Sequence, residues 1–529
     1  MQSYEIILGM SIAMMVVSLL SLYFNMRRDL MMLQQNSYMN NRYVRWFNQS
    51  GESTNYIRIG ACIATFFCLM AHVPKTIAAG CAILLMAWIA ISLLRRKYKK
   101  PLVVTKRVTR LMSVIALLDV AFVGVTYLVS KDFYYTAVVA TALNIVSPLV
   151  MLIANMLLRP VEKHINNGFY KDAQSRLRSM PDMKIIGVTG SYGKTSTKTY
   201  LHRILSEKYD VVMTPGNFNT TLGVVRTVRE HLKPYNEVFI VEMGAKQVGD
   251  IKEICDLVHP SIGIVTAVGE QHLESFKTVE NVQRTKFELI DALPEDGLAI
   301  VNNDFAPAAS RKVENTKCLR YAVQNVENAD YVATIKEVSP RGTTFIITGE
   351  GKEYTFSTRL VGECNVSNLM AAVIVALKLN VPEEKIAYAI SKIEQVEHRL
   401  NMKLTAGGVT IIDDAYNSNP TGSKMALDVL SMMTQGKRIV VTPGMVELGE
   451  KQFELNKELG RYAASRADII IVVGQYNKDA ISEGLAEGEA AEDKVYFATT
   501  FNDAQLILAK ILERGDTVLY ENDLPDTFK

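Results

Sequence analysis

The sequence predicts an α/β protein in three parts: a multi-helix transmembrane N-terminal region, a central P-loop domain and a smaller Rossmann-like C-terminal domain. Three observations carry this reading. Apolar runs crowd residues 1–158. A glycine-rich turn at Gly187–Thr197 joins a short strand to a helical stretch. Short β-rich runs alternate with helical ones after Lys184 and again after Arg399, the pattern of parallel α/β layers.

Composition bounds the function classes. The 529 residues are 49% hydrophobic and 21% charged, with a net charge of +3 and a mean hydropathy of +0.10. The apolar fraction is ample and no low-complexity tract occurs, which excludes a disordered chain. The charge balance excludes a strongly basic nucleic-acid binder. Six dispersed cysteines without a C-x-x-C pair exclude a disulfide scaffold and a zinc site of the usual spacing.

The N-terminal region contains five apolar runs. Ile6–Phe24 is 19 uncharged residues, Ile77–Leu94 is 18 and Thr136–Leu158 is 23; Leu111–Val129 carries only Asp119, and Ile59–Val73 only His72. A bilayer core about 30 Å thick needs roughly 20 helical residues. Four runs therefore reach spanning length, and the second pairs with the third as a hairpin broken at Pro74. Basic residues cluster between the first and second runs (Arg27, Arg28, Arg42, Arg45, Arg58) and between the third and fourth (Arg95 to Arg110), and positive loops stay cytoplasmic. The expectation is a multi-pass cell-membrane protein with its N-terminus outside and everything after Leu158 cytoplasmic. Met1–Glu5 lacks the basic n-region of a cleavable signal. Asp119, mid-run, is either a functional intramembrane acid or an Asp hydrogen-bonded between helices. Residues 159–183 are basic and read as an interfacial linker.

From Lys184 the runs KIIGVTG, EVFIVEMG, IGIVTAVG and GLAIVNN read as parallel strands, and residues 331–361 as antiparallel hairpins. A helix follows Asn365. The next series (GVTIIDDA, KRIVVTPGM, DIIIVVG, KVYFATT, DTVLYEND) suggests a second domain, giving 184–396 and 397–529.

The strongest chemical motif is Gly187-Val-Thr-Gly-Ser-Tyr-Gly-Lys-Thr-Ser-Thr197. Its glycines let backbone N–H groups of Thr189, Gly190, Ser191, Tyr192, Gly193 and Ser196 face phosphate oxygens. Lys194 is placed for the terminal phosphates and the Thr195 hydroxyl for Mg²⁺. Val188 stands at the first glycine of the strict pattern, so the alternative is a ligand-free glycine turn. Glu242 leaves a buried strand downstream, placed either to hold Mg²⁺ or to cap. By itself His272 reads as a turn residue and Lys286 as a solvated lysine.

In order along the chain stand VTGSYGKTST, TPGNFNTTLGV, VEMGAKQVGDI, VGEQHLESFKTVENVQRTKFEL, VNNDF, GECNVSNLMAAVIVAL, EHRL, IIDDAYNSNPTGSKMALDVL and GMVELGE. Together they resemble the Mur ligase family over roughly residues 184–520. The resemblance implies a central ATPase domain and an ATP-dependent amide ligase (ADP-forming) acting through an acyl phosphate. His272 then matches a position helping to hold a second Mg²⁺, and Lys286 the lysine that CO₂ carbamylates, giving a metal set of Thr195, Glu242, His272 and Lys286. Lys194, Lys286 and His272 become the catalytic set. Asn302 and Asn365 match nucleotide contacts, Arg399 and Asp414 the hinge-side and C-terminal contacts to ATP. Asn217, Asn219, Thr220, Tyr416, Asn417 and Asn419 fall in motifs that meet substrate.

The pattern is broken at several points. Cys364 replaces a His, Thr220 an Asn and Val224 a Pro, and Pro443-Gly444-Met445 stands for a G-D-M turn. A terminal K-G-S-R-like run is replaced by Tyr520-Glu521-Asn522-Asp523. The apolar runs stand where the family has a soluble UDP-sugar domain. The implied function is addition of an amino acid or dipeptide (D-alanyl-D-alanine type) to a peptidoglycan precursor, nucleotide- or lipid-linked, at the membrane. ATP, one or two Mg²⁺ and the lipid bilayer are the expected partners, with no nucleic acid. Two alternatives remain: a membrane-bound polymerising ligase of the poly-γ-glutamate type, and a non-enzymatic nucleotide-binding scaffold.

Overall fold

The computed structural model describes residues 2–51, 55–70, 72–96, 98, 100–339, 341–416 and 418–524. Contacts divide the chain into two units, one made of residues up to Asn166 with Leu524, the other of Asn167–Asp523.

The first unit is helical. Its helices are Gln2–Gln35, Asn40–Gln49, Tyr56–Leu69, Lys75–Arg95, Lys106–Ser130 and the start of Phe133–Arg178. Local signals set their ends. Thr105 accepts from the N–H of Val108 to cap its helix, and Lys131 closes it in a left-handed conformation (φ 53°). The expected five spans are corrected to four helices long and apolar enough to cross a membrane, by length and composition only. The second run forms a helix of only 14 residues, about 21 Å at 1.5 Å per residue. Pro74 breaks the chain before the next helix begins at Lys75. Residues 159–178, expected as part of a surface linker, continue the helix that starts at Phe133. Asp119 is buried. Between the helices, Asp29 accepts from Tyr43 (3.0 Å) and Ser147 (2.8 Å), and Asn25 donates to the Asn144 carbonyl and to Ser147. The Asp29 carboxylate and the Asn25 amide N–H group are thereby hydrogen-bonded inside an apolar bundle.

In the second unit the end of the long helix packs on an α/β body. Ala173 and Leu177 join the cluster of Ile185, Val224 and Val228, and Asp172 pairs with Arg229 at 2.6 Å. The strands of the larger sheet are β1 (Lys184–Thr189), β2 (Val211–Met213), β3 (Val238–Glu242), β4 (Ile262–Val265), β5 (Leu298–Asn302), β6 (Lys317–Ala322), β7 (Tyr331–Ser339), β8 (Gly342–Gly349) and β9 (Lys352–Thr358). Their order is β2-β3-β1-β4-β5-β6-β7-β8-β9. Pairing is parallel as far as β7 and antiparallel from β7 to β9, as the alternation over residues 331–361 predicts. Both faces are covered. The helix Lys194–Leu205 and the helix Glu363–Lys378, apolar from Leu369 to Leu377, bury one; Thr221–Glu230, Asp250–Val258 and Val279–Asp291 bury the other. Burial on both faces is why β1, β3 and β4 read as continuous apolar runs.

The second sheet comprises β10 (Asn401–Leu404), β11 (Thr410–Asp414), β12 (Arg438–Thr442), β13 (Ile469–Val473), β14 (Val495–Ala498) and β15 (Thr517–Glu521). Its order is β10-β11-β15-β12-β13-β14, parallel except for the β10 edge. Ligands of open parallel sheets bind outside the carboxyl ends of the strands, where the order reverses. In the larger sheet that is the end of β1, between β3 and β4.

Candidate active site

The turn after β1 is shaped by two glycines. Gly190 has φ 151°, and a Cβ there would lie 2.1 Å from the Thr266 hydroxyl and 2.9 Å from the Ala267 nitrogen. Gly193 has φ 76° at the N-cap of Lys194–Leu205, and a Cβ would lie 2.2 Å from Asn368 Oδ1. No other residue fits either position without displacement. The turn is tied down at its sides. Thr189 donates to the Met243 carbonyl (2.8 Å), Ser191 N–H to the Ala267 carbonyl (2.8 Å), and Gly269 N–H to Ser191 Oγ (3.1 Å). The result is a glycine turn feeding a 12-residue helix N-terminus, an arrangement suited to phosphate. Tyr192 packs its ring against Phe305, and Ser196 is buried one turn into the helix.

The Lys194 ammonium folds back onto the carbonyls of Gly190 (2.6 Å) and Ser191 (3.1 Å). Burial pushes it down to about 8, against the attraction of Glu242 and with added repulsion from Arg399. Thr195 donates to Glu242 Oε1 at 3.3 Å, and Asn219 donates to the same oxygen at 3.0 Å. The other oxygen, Oε2, pairs with Lys198 at 2.8 Å, both side chains being about 1% exposed. Burial alone would raise the Glu242 carboxyl; Lys198 above all, with Lys194 and Asn219, outweighs it and holds the group below the ordinary carboxylate range. Lys198 also donates to the carbonyls of Thr214 and Gly216 and so fixes the segment leading to Asn217 and Asn219.

Lys286 is not the solvated lysine its local sequence suggests. It lies 1% exposed on Val279–Asp291, and burial, reinforced by the charge of Lys194, drives its ammonium well below the usual lysine range. No hydrogen-bond partner for it is found among the described residues. His272 adopts a left-handed backbone (φ 52°) before the short helix Leu273–Phe276. Its Nδ1 meets Glu447 Oε2. Burial lowers the imidazole, opposed by Glu447. Burial would raise the Glu447 carboxyl, but His272 and Lys246 reverse this and hold it at about 2.

Other expected contacts have structural partners. Asn302 donates to the Thr266 carbonyl and to Ser367, and Asn365 accepts from Tyr200 and donates to the Val361 carbonyl. Thr220 caps Thr221–Glu230, and Asn419 caps Pro420–Ser431. Arg399 stacks over Tyr416 at 4.6 Å, and the Tyr416 hydroxyl accepts from Asn217 at 2.7 Å. Asp414 accepts from Leu400 N–H, and burial raises its carboxyl to about 6 despite Arg399. Asn417 lies outside the described residues. Sequence reasoning gave no role to Lys198 or Glu447. The first sits four residues after Lys194 on the same helix, and the second within the quoted GMVELGE run.

Among the described residues no three His, Cys, Asp or Glu side chains gather as a metal cage. Mg²⁺ does not require one; it is held by one or two carboxylates together with substrate phosphates and water. The Thr195–Glu242 pair beside the phosphate turn fits that donor set.

Residues 188–376 match the Mur ligase middle domain, and residues 398–520 the Mur ligase glutamate ligase domain. Over 342 residues the chain is 32% identical to the UDP-N-acetylmuramoyl-tripeptide–D-alanyl-D-alanine ligase of Bacillus subtilis, covering 64% of this chain and 72% of that protein. The chain belongs to the Mur ligase family. This Mur ligase is accordingly an ATP-dependent, ADP-forming enzyme. The Escherichia coli ligase of the same name is 30% identical over 327 residues, covering 61% of this chain and 71% of that one. Among solved structures, MurF from Acinetobacter baumannii superposes with a TM-score of 0.62 at 28% identity, covering 68% of this chain and 77% of that chain. MurF from Thermotoga maritima in complex with ADP gives 0.59 at 27%, covering 68% and 81%.

These relatives correct one expectation. The multi-pass cell-membrane localisation, with the N-terminus outside and the bilayer as partner, does not stand. The matched ligases are named for a UDP-linked precursor, a water-soluble nucleotide whose ligation requires no bilayer. Length and apolar composition alone do not place helices in a membrane. Here the share of each apolar window buried inside the protein ranges from 11% to 61%.

Proposed function

We propose that this Mur ligase joins an amino acid or a D-alanyl-D-alanine-type dipeptide to the terminal carboxylate of a nucleotide-linked peptidoglycan precursor. The observation that carries the reading is the convergence of Lys194, Thr195, Glu242 and Asn219 at the end of β1, with buried Lys286 facing them. Phosphoryl transfer needs alignment and charge neutralisation more than covalent help. In the proposed reaction a carboxylate oxygen of the precursor attacks the γ-phosphorus of ATP and ADP leaves. The amine of the second substrate then attacks the acyl carbon, phosphate departs, and the amine's surplus proton passes to solvent.

In this reading Lys194 unfolds from its own loop onto the terminal phosphates. Thr195 and Glu242 would hold Mg²⁺, which when bound would supply charge neutralisation. Lys286 would be carbamylated, its neutral amine adding to CO₂ with loss of one proton to solvent, which puts an anion there able to join His272 in holding a second ion. Its low basicity supports this, because only the neutral amine adds to CO₂. Residues 184–396 would bind ATP, with Asn302 and Asn365 framing the nucleotide. Residues 397–529 would bring Arg399, Asp414, Tyr416 and Asn419 over it and deliver the amine, while Asn217 and Thr220 lie on the acceptor side.

The test is ADP release by the purified chain with ATP, UDP-N-acetylmuramoyl-tripeptide and D-alanyl-D-alanine. Sustained ADP release is expected only when acceptor and amine are both present, and Lys194→Ala should lower the rate on the order of 10²–10³-fold. ADP release indifferent to both substrates would overturn the proposal.

A further inference from the structure

The contact between His272 and Glu447 joins two loops of different origin. His272 follows β4 in the larger sheet, and Glu447 follows β12 in the smaller one. Two further contacts lock the same loops together, and a third, from Lys246 on the loop after β3, joins them. Glu274 N–H donates to the Glu447 carbonyl at 3.1 Å, Lys246 pairs with the Glu447 carboxylate at 3.3 Å, and Lys451 pairs with Glu270 at 2.6 Å. Glu447 holds a left-handed backbone (φ 63°), anchored by buried Met445 and Leu448 on either side. A non-glycine residue in that backbone region costs on the order of 1–3 kcal/mol and persists where its surroundings hold it.

The chemistry of the pair is directional. A carboxylate accepts, so Nδ1 of His272 carries the hydrogen, and Nε2 is left as the lone-pair nitrogen. No hydrogen bond to Nε2 is found among the described residues. A carboxylate on one ring nitrogen fixes the tautomer and orientation of a metal-binding histidine and raises its basicity as a ligand. We propose that Glu447 is the positioning residue that presents His272 Nε2 to the second cation. Because the smaller domain contributes Glu447, the cation site is complete only when that domain is docked. The proposal rests on the reading of His272 as a metal-holding residue and extends it: domain docking and cation binding are one linked equilibrium, so each strengthens the other.

The test uses the full-length protein with ADP and Mn²⁺ as probe, followed by electron paramagnetic resonance, and compares His272→Ala, Glu447→Gln and Lys451→Ala. Glu447→Gln is expected to weaken the His272-dependent Mn²⁺ site about 10–100-fold. Lys451→Ala, which removes a half-exposed inter-domain pair without touching the imidazole, should weaken it far less than Glu447→Gln does. In the metal-free protein the imidazole ¹⁵N shifts should report the Nδ1–H tautomer in the wild type and a mixture in Glu447→Gln. Mn²⁺ binding unaffected by His272→Ala would remove the reading beneath the proposal. A loss with His272→Ala but not with Glu447→Gln would overturn the proposal itself, as would equal losses with Glu447→Gln and Lys451→Ala. Unchanged near-ultraviolet circular dichroism establishes that each variant is folded.

Discussion

At the scale of single residues, the site is governed by charges that have been removed from water. Lys194, Lys198 and Lys286 lie close around the single carboxylate of Glu242, with Lys198 and Glu242 already paired. Bare burial of that excess is costly. On the proposed reading, carbamylation of Lys286 would relieve it by putting an anion among these lysines. The expected outcome for Lys286→Ala is loss of ligation on the order of 10²-fold or more, restored in part by millimolar short carboxylates such as acetate that occupy the vacated space. Absence of rescue at any carboxylate concentration, with the variant folded, would count against the carbamate. This is also where local sequence reading is weakest. Glycine spacing exposes the phosphate turn because glycine has a backbone reason to be there. A lysine on a helix has the same appearance whether its face is wet or dry, and only the fold, which leaves Lys286 1% exposed, makes it dry.

At the scale of elements, hydrophobic patterning was informative and element ends were less so. The strands β1, β3, β4 and β5 read plainly as uninterrupted apolar runs because both faces of the sheet are covered. Thr220 and Asn419, which sit in substrate-type motifs, serve as N-caps here, and capping and substrate contact draw on the same side-chain oxygen chemistry. The last strand carries the least expected feature. Glu521 ends β15 fully buried, in register with Asp414 on β11, and accepts from Ser418 and Ser423. Burial first, then the neighbouring Asp414, raises its carboxyl to about 8, with the two serines and Arg399 opposing. A carboxyl raised in the folded state binds a proton that the unfolded chain releases. Its stabilising contribution is full below the ordinary glutamate value near 4.5 and is lost as pH rises through about 8. Thermal unfolding should therefore show the melting temperature of the wild type falling across that interval, with a flatter profile for Glu521→Gln. Identical slopes for the two proteins would show that Glu521 does not carry the effect.

At the scale of the whole chain, charge and length both divide. Residues 1–160 hold 16 Lys+Arg against 5 Asp+Glu, and the remainder 42 against 50, so the net +3 is the sum of two opposed parts. That asymmetry made the division of the chain legible; the point of division was less so. Composition changes near residues 158 and 184, whereas the packing boundary falls at Asn167. The reason is that the final turns of Phe133–Arg178 are polar on one side only: Ala173 and Leu177 are buried in the ligase core beside Ile185, Val228 and Leu232. Every residue assigned to the proposed site, and the four hydrophobic clusters that pack on the two sheets, lie after that point. A chain beginning at Asn167 should thus fold and bind ATP with the affinity of the full-length protein, as read by calorimetric titration. A chain beginning at Lys184 removes the Leu177 side chain from a packed interior, and it should be less stable by roughly 2–5 kcal/mol in urea denaturation. Equal stability of the two shortened chains would mean that the helix end is an ornament on the ligase rather than part of its core. Failure of the longer one to bind ATP would mean that the nucleotide site depends on the helical unit.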